Sequence, residues 1–201
     1  MESGVNNQKK DAALLISALK AYQPWNEQEA ADRLEILRHL EQEPDIFERT
    51  NKAAHMTASA WVVNHGRSKV LMIYHNIYDS WAWTGGHADG ETDLLSVAVR
   101  EVKEETGVVS VRPVSEKIFS LEVLTVDGHE KRGVYVPSHL HLNLTWLLEA
   151  DENEELRKKE DENSNVGWFA PEDAVNASNE PWMRERIYKK LNAKLYSMSS
   201  K

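Results

Sequence analysis

Glu101, Glu104 and Glu105 stand within five residues of one another, Arg100 adjoins them, and a glycine pair, Gly85 and Gly86, precedes them. At about 100° of rotation per residue, an α-helix through this stretch carries all three acids on one arc. Leu94, Leu95, Ala98, Val99 and Val102 fill the adjoining arc, which must face a core, so the carboxylates are expected on the rim of the buried face. Like charges three and four residues apart repel by about 0.2–0.5 kcal/mol per pair, so the cluster gains nothing unless a cation is held against it. Magnesium, a hard ion that takes oxygen ligands and keeps some of its waters, suits carboxylates that must leave room for phosphate oxygens. A bare Glu-x-x-Glu-Glu is more often a solvated helix face. The glycine pair and the adjoining Arg-Glu dipeptide shift the balance toward chemistry.

The elements that position these groups parse as loop, helix and stop: Asp93–Thr106 carries helical apolar spacing and Gly107 ends it. The stretch Gly85–Val108 resembles the Nudix box, Gly-x5-Glu-x7-Arg-Glu-apolar-x-Glu-Glu-x-Gly-apolar, of hydrolases that split nucleoside diphosphates linked to another group. The match begins at Gly86 and is complete from Arg100 to Val108, with Thr92 where the pattern has Glu. In the family that Glu braces the Arg, so either acidic neighbour, Glu91 or Asp93, is a candidate partner for Arg100. Thr84 stands where relatives often carry Pro.

The resemblance implies a mixed α/β fold, the Nudix-type α/β/α sandwich, over roughly residues 51–196. It implies a magnesium cofactor, with Mn2+ as a substitute, held by Glu101, Glu104, Glu105 and the backbone carbonyl of Gly85. Arg100 then orients the carboxylates. A base must take the proton of the attacking water. Glu162, six residues before Trp168, matches the loop base of several relatives, and Glu105 matches the box base of others. The implied activity is pyrophosphohydrolysis of a nucleoside diphosphate derivative or a related organic pyrophosphate. The alternative is a Nudix-fold nucleotide sensor or interaction module that binds without cleaving. Intact helix carboxylates, and the want of a basic DNA-recognition face, favour the enzyme.

Signatures that divide the family's subgroups do not narrow the substrate. The proline associated with ADP-ribose hydrolases falls in Leu121–Val126 and is absent. The tyrosine of diadenosine polyphosphate hydrolases and the longer motifs of the coenzyme A and NADH enzymes are absent too. A cysteine-dependent isomerase of the same fold is excluded, since the chain has no cysteine.

Candidate substrate contacts lie outside the helix. His87 follows the glycine pair and could touch phosphate; Trp83, or Trp81, could stack on a nucleobase. Arg132, with Lys131 in the polar loop Asp127–Ser138, is a local cation for an anionic ligand. His139, His141, Asn143 and Thr145 alternate with Leu140, Leu142, Leu144 and Trp146, so a strand is expected with one polar face that could line the cleft. His139 and His141 could also ligate a transition metal, but the sequence offers no nearby third ligand.

A chain of 201 residues is one domain, or one with an appendage. Residues 1–50 are expected as a helical N-terminal extension and 51–201 as the hydrolase domain. Within the extension, Asp11–Tyr22 and a capping-box-like start at Asn26 and Glu29 predict two amphipathic helices, a hairpin that packs on the sheet or serves as a lid or homodimer arm. A formal charge of −9 and pI near 5.4 argue against a grip on bulk nucleic acid. No stretch has the length of a membrane span or the apolar core of a signal peptide, so a cytoplasmic protein acting on a small-molecule diphosphate is expected.

Further along, strands are expected at Met56–Val63, Lys69–Tyr74, near Val111, at Ile118–Val126, Leu140–Leu148 and Gly167–Phe169. A charged loop with a short helix is expected over Glu149–Asn165, and helices at Glu172–Ala177 and Trp182–Tyr196.

Overall fold

Apolar residues at helical spacing and the break at Pro24 separate the first two helices, α1 (Glu2–Ala21) and α2 (Glu27–Gln42), in a computed structural model that describes residues 2–131 and 133–199. Asn26, extended at φ −151°, caps α2 by accepting the Glu29 N–H at 3.0 Å. The reciprocal arm differs from a capping box. The Glu29 carboxylate accepts the N–H of Trp25, not of Asn26, at 2.7 Å.

Among the described residues ten strands follow: β1 (Ala54–Asn64), β2 (Val70–His75), β3 (Ser80–Ala82), β4 (Thr84–His87), β5 (Arg112–Pro113), β6 (Ser120–Val126), β7 (His129–Lys131), β8 (Val134–Val136), β9 (His139–Ala150) and β10 (Asn163–Phe169). Eight of them build one mixed sheet in the order β10-β2-β1-β9-β5, with β3 on β2, β4 on β1 and β6 on β9; β7 and β8 pair as a separate hairpin. Helix α3 (Leu94–Thr106) lies between β4 and β5 in sequence, and α4 (Pro171–Ala177) and α5 (Lys189–Ser199) close the chain. Among the described residues no helix is long and apolar enough to cross a membrane.

The chain divides into two compact units. The first holds residues up to Ala58, His87–Val97 and Ser120–Leu144. Its core includes Leu19, Ile36, Ile46, Met56, Leu121, Leu142 and Leu144, all essentially inaccessible. Here α2 lies along β6, where Asp32 accepts the Val123 N–H at 2.9 Å and Gln28 donates to the Leu121 carbonyl at 3.2 Å. The fully buried Glu29 is held by the Tyr22 hydroxyl at 2.7 Å and the Ser120 hydroxyl at 2.9 Å.

The second unit holds Ser59–Gly86, Ala98–Phe119 and the chain from Thr145 onward. Antiparallel pairing sets Val62 against Leu71 and Trp168 against Leu71 from the other side, so β2 is buried between two neighbours. Its Val-Leu-Met-Ile run is accordingly apolar on both faces. Trp61 stacks on Tyr188 with ring centroids 5.4 Å apart, and both are buried.

Three elements differ from expectation. The polar loop after β6 contains the β7–β8 hairpin, whose Val134 and Tyr135 are exposed and carry little burial signal. The charged run 151–162 forms turns without a helix. The last helix starts with a π-helical stretch, Met183–Tyr188, closed by the Lys189 N–H donating to the Arg184 carbonyl.

Candidate active site

Helix α3 starts where Asp93 accepts the Ser96 N–H at 3.2 Å and ends at Gly107, whose φ of +77° only glycine adopts without strain. A side chain at Gly107 would also meet Arg157, at 2.9 Å from its Cβ. Leu94, Val97, Ala98 and Val102 are buried, and the buried arc extends to Glu105, which is 3% exposed. Glu105 thus lies inside the apolar face. Glu101 is half-buried at the rim and Glu104 is exposed.

The glycine turn closes on these acids. Gly85 N–H donates to Glu105 Oε2 at 3.0 Å, and a Cβ on Gly86 would stand 2.5 Å from Glu101 Cδ. Burial pushes the Glu105 carboxyl well above the ordinary carboxylate range, against the Gly85 hydrogen bond, and the charges of Glu101 and Glu162 add to the rise. Burial raises Glu101 as well, opposed by Arg100. Arg100 Nη2 donates to Glu101 Oε1 at 3.1 Å, and its Nε lies 3.8 Å from Glu104 Oε1. Its described partners in this unit are therefore on its own helix. Thr92, at the departure from the box pattern, donates its hydroxyl to Asp11 of α1 at 3.2 Å.

The charged run after β9 is pinned to the end of α3. Arg157 N–H donates to the Thr106 carbonyl at 2.8 Å, Glu154 accepts the N–H groups of Val109 and Ser110, and the buried Asn163 amide donates to the Glu105 carbonyl at 3.0 Å. These contacts deliver Glu162 and Lys159 to the acidic helix. Lys159 Nζ sits 3.2 Å from Glu104 Oε2 and 2.9 Å from Glu162 Oε2. Partial burial works against its charge, but the two carboxylates outweigh that and raise its pKa. Sequence reasoning singled out Glu162 and passed over Lys159, whose only signal was its position three residues before that acid.

The other described sequence candidates lie on or beside β3, β4 and β9. Trp83 is 9% exposed, donates its N–H to the Tyr188 hydroxyl at 3.3 Å and packs its ring against that tyrosine, so its surface is committed to the core. Trp81 packs edge-on to Tyr74 and Phe169. His87 and His141 belong to the first unit, with ring centroids 4.9 Å apart. Burial pushes the His141 imidazole down to about 2, the charges of neighbouring histidines adding to the fall. Asn143 and Thr145, expected on a polar strand face, are buried; Asn143 bonds Glu122 and Thr57. Arg132 lies outside the described residues.

The candidate ligands gathered at α3 are oxygens, two of them on carboxylates that burial penalises as anions, and a Cβ at Gly86 would push the Glu101 carboxylate aside. This donor set fits a hard divalent cation.

A mixed α/β fold with a glycine turn shut against one acidic helix is shared with hydrolases acting on pyrophosphate bonds. The family model described as the NUDIX domain matches residues 53–191, and the chain belongs to the Nudix family. Among solved structures it is similar to the Caenorhabditis elegans Ap4A hydrolase in a binary complex, at 20% identity and TM-score 0.52, covering 71% of this chain and 98% of that one. A NUDIX-family hydrolase from Clostridium perfringens follows at 21% identity and TM-score 0.48, covering 69% and 97%. The Escherichia coli dihydroneopterin triphosphate pyrophosphohydrolase stands at 14% and 0.48, covering 67% and 92%. No curated protein matches the chain.

Proposed function

We propose that the chain is a magnesium-dependent pyrophosphohydrolase acting on a nucleoside diphosphate derivative or related organic pyrophosphate. One observation carries this: the Gly85–Gly86 turn is shut against Glu101 and Glu105 so closely that a Cβ on Gly86 would displace the Glu101 carboxylate, an arrangement a solvated acidic helix has no use for. Glu101, Glu104, Glu105 and the Gly85 carbonyl would hold the cation. When bound, it supplies charge neutralisation at phosphate oxygens that otherwise repel a nucleophile.

This chain's residues do the rest. Arg100 holds the Glu101 carboxylate and limits its rotation. Gly85 N–H fixes one oxygen of Glu105, leaving the other for the site. Water attacks phosphorus in line, the bridging P–O bond breaks, and the proton passes to a carboxylate. Glu105 suits that task, because burial raises its proton affinity well above that of an ordinary carboxylate, whereas Glu162 has its charge committed to Lys159.

The test is release of phosphate or nucleotide from a panel of organic diphosphates, with and without Mg2+, for the parent and for Glu104→Gln. Cleavage that requires Mg2+ and falls by more than about 100-fold in the variant is expected. Activity indifferent to that substitution overturns the assignment, and binding without cleavage across the panel favours a nucleotide sensor.

A further inference from the structure

A second constellation lies wholly within the first unit. His55 on β1 and His139 and His141 on β9 are brought together where Leu140 N–H donates to the Ala53 carbonyl at 2.9 Å and the Thr57 hydroxyl donates to Asn143 at 3.0 Å. Each offers one ring nitrogen, and these atoms all lie within 4.8 Å of one another. The ring centroids of His55 lie 4.8 Å from His139 and 5.1 Å from His141, and those of His139 and His141 are 5.0 Å apart. His87 stands beside them, 5.1 Å from His55 and 4.9 Å from His141.

The hydrogen bonds set the tautomers. A carbonyl can only accept, so His55 Nδ1–H donates to Asn51 O at 3.0 Å and His139 Nδ1–H donates to Pro137 O at 2.8 Å. In its neutral form each ring therefore turns its Nε2 lone pair toward the cluster. His55 Nε2 is buried and, among the described residues, has no hydrogen-bond partner. His139 Nε2 faces His141 Nε2 at 3.2 Å. Gathered imidazoles, two of them with the outer ring nitrogen tied to a backbone carbonyl, are the arrangement that prepares histidine for a metal.

The spacing agrees. With bonds of about 2.0–2.1 Å to each nitrogen and a tetrahedral angle, ligating nitrogens stand about 3.3 Å apart and ring centroids about 5.1 Å apart. The His139–His141 nitrogen pair and the three centroid distances among His55, His139 and His141 fall close to those values, and the His55 nitrogen lies within 4.8 Å of the other two. An all-imidazole set favours zinc and its first-row neighbours over magnesium or calcium, which seek oxygen.

We propose that His55, His139 and His141 form a binding site for a transition-metal cation of the zinc type, built without the box carboxylates as ligands, with a fourth position for water or an anionic ligand.

The test titrates the chelator-treated full chain with Co2+, followed by visible absorption, and then displaces it with Zn2+. One equivalent with the intense bands of a four-coordinate site is expected. His139→Ala and His141→Ala should weaken it by more than about 100-fold, beyond what loss of an outer partner costs, while circular dichroism stays that of the metal-free parent. Glu104→Gln should leave the bands unchanged. Only weak six-coordinate absorption, unchanged affinity in the histidine variants, or bands that vanish in Glu104→Gln overturns the site. X-ray absorption of the zinc-loaded parent needs no variant to fold: a nitrogen shell with imidazole scattering supports the site, and an all-oxygen shell refutes it.

Discussion

Lys159 Nζ lies 3.2 Å from Glu104 Oε2, so an ammonium stands where the box acids would meet a cation. The same nitrogen binds Glu162, which makes the lysine a bridge between the acidic helix and the loop after β9. Lys159 and a metal then compete for Glu104. Part-exposed pairs of this kind are worth about 0.2–1 kcal/mol. Lys159→Gln should therefore lower the Mg2+ concentration for half-maximal activity by up to about 5-fold, since 1.4 kcal/mol corresponds to a factor of about 10. A magnesium titration of activity reads this directly, and an unchanged or raised midpoint contradicts the competition.

Gly86→Ala tests the closeness of the turn. The new methyl would stand 2.5 Å from Glu101 Cδ, and the carboxylate can swing away into solvent more cheaply than the backbone can move. The expected outcome is a Mg2+ midpoint raised at least about 10-fold, equivalent to about 1.4 kcal/mol of lost metal binding, with a melting temperature within a few degrees of the parent. Differential scanning calorimetry beside the activity titration separates the two effects. A large loss of stability with normal metal response would show that the turn serves folding alone.

These two residues mark what the sequence made legible and what it hid. Helix α3 was read to within one residue, because amphipathic spacing and a terminal glycine are local signals. The depth of Glu105 was not read: a helical wheel places it at the edge of the apolar arc, and only packing decides that it is buried. β-favouring runs mark most of the longer strands, while β3 and β4, at three and four residues, are too short to show periodicity. His55 and His139 are 84 positions apart, so no spacing rule could have joined the third imidazole to the His-x-His pair. Asn26 and Glu29 looked like a capping box, yet the Glu29 carboxylate turned to Trp25, Tyr22 and Ser120, because a buried acid takes donors from wherever the tertiary fold supplies them.

Glu105 and Glu162 make distinct predictions. If Glu105 accepts the proton, Glu105→Gln should lower kcat by about 100- to 10,000-fold. The loss should persist at saturating Mg2+, which a mere loss of metal affinity would not do. Glu162→Gln, whose carboxylate faces Lys159, should cost less than about 10-fold and leave KM unchanged, by the small worth of part-exposed ion pairs. Steady-state kinetics at saturating Mg2+ decide it, and a larger effect at Glu162 reverses the assignment.

Tyr22 supplies a prediction about stability and pH. Its hydroxyl donates to the fully buried Glu29 at 2.7 Å, and burial first, then the nearby carboxylate charge, raises its pKa far above the ordinary phenol value. The sign follows from linkage. A group whose pKa is raised by folding contributes stability that is complete below its unfolded value, about 10, and is lost as pH climbs toward the folded value. The parent should therefore lose melting temperature on the alkaline side of pH 10, and Tyr22→Phe, which has no proton to lose, should lose less of it. At neutral pH the variant should be the weaker protein by about 1.5–3 kcal/mol, the range for a hydrogen bond to a charged group. Thermal melts of parent and variant at intervals from pH 7 to the alkaline limit of folding test both halves: curves that stay parallel across that range would mean that Tyr22 ionises as freely in the fold as outside it.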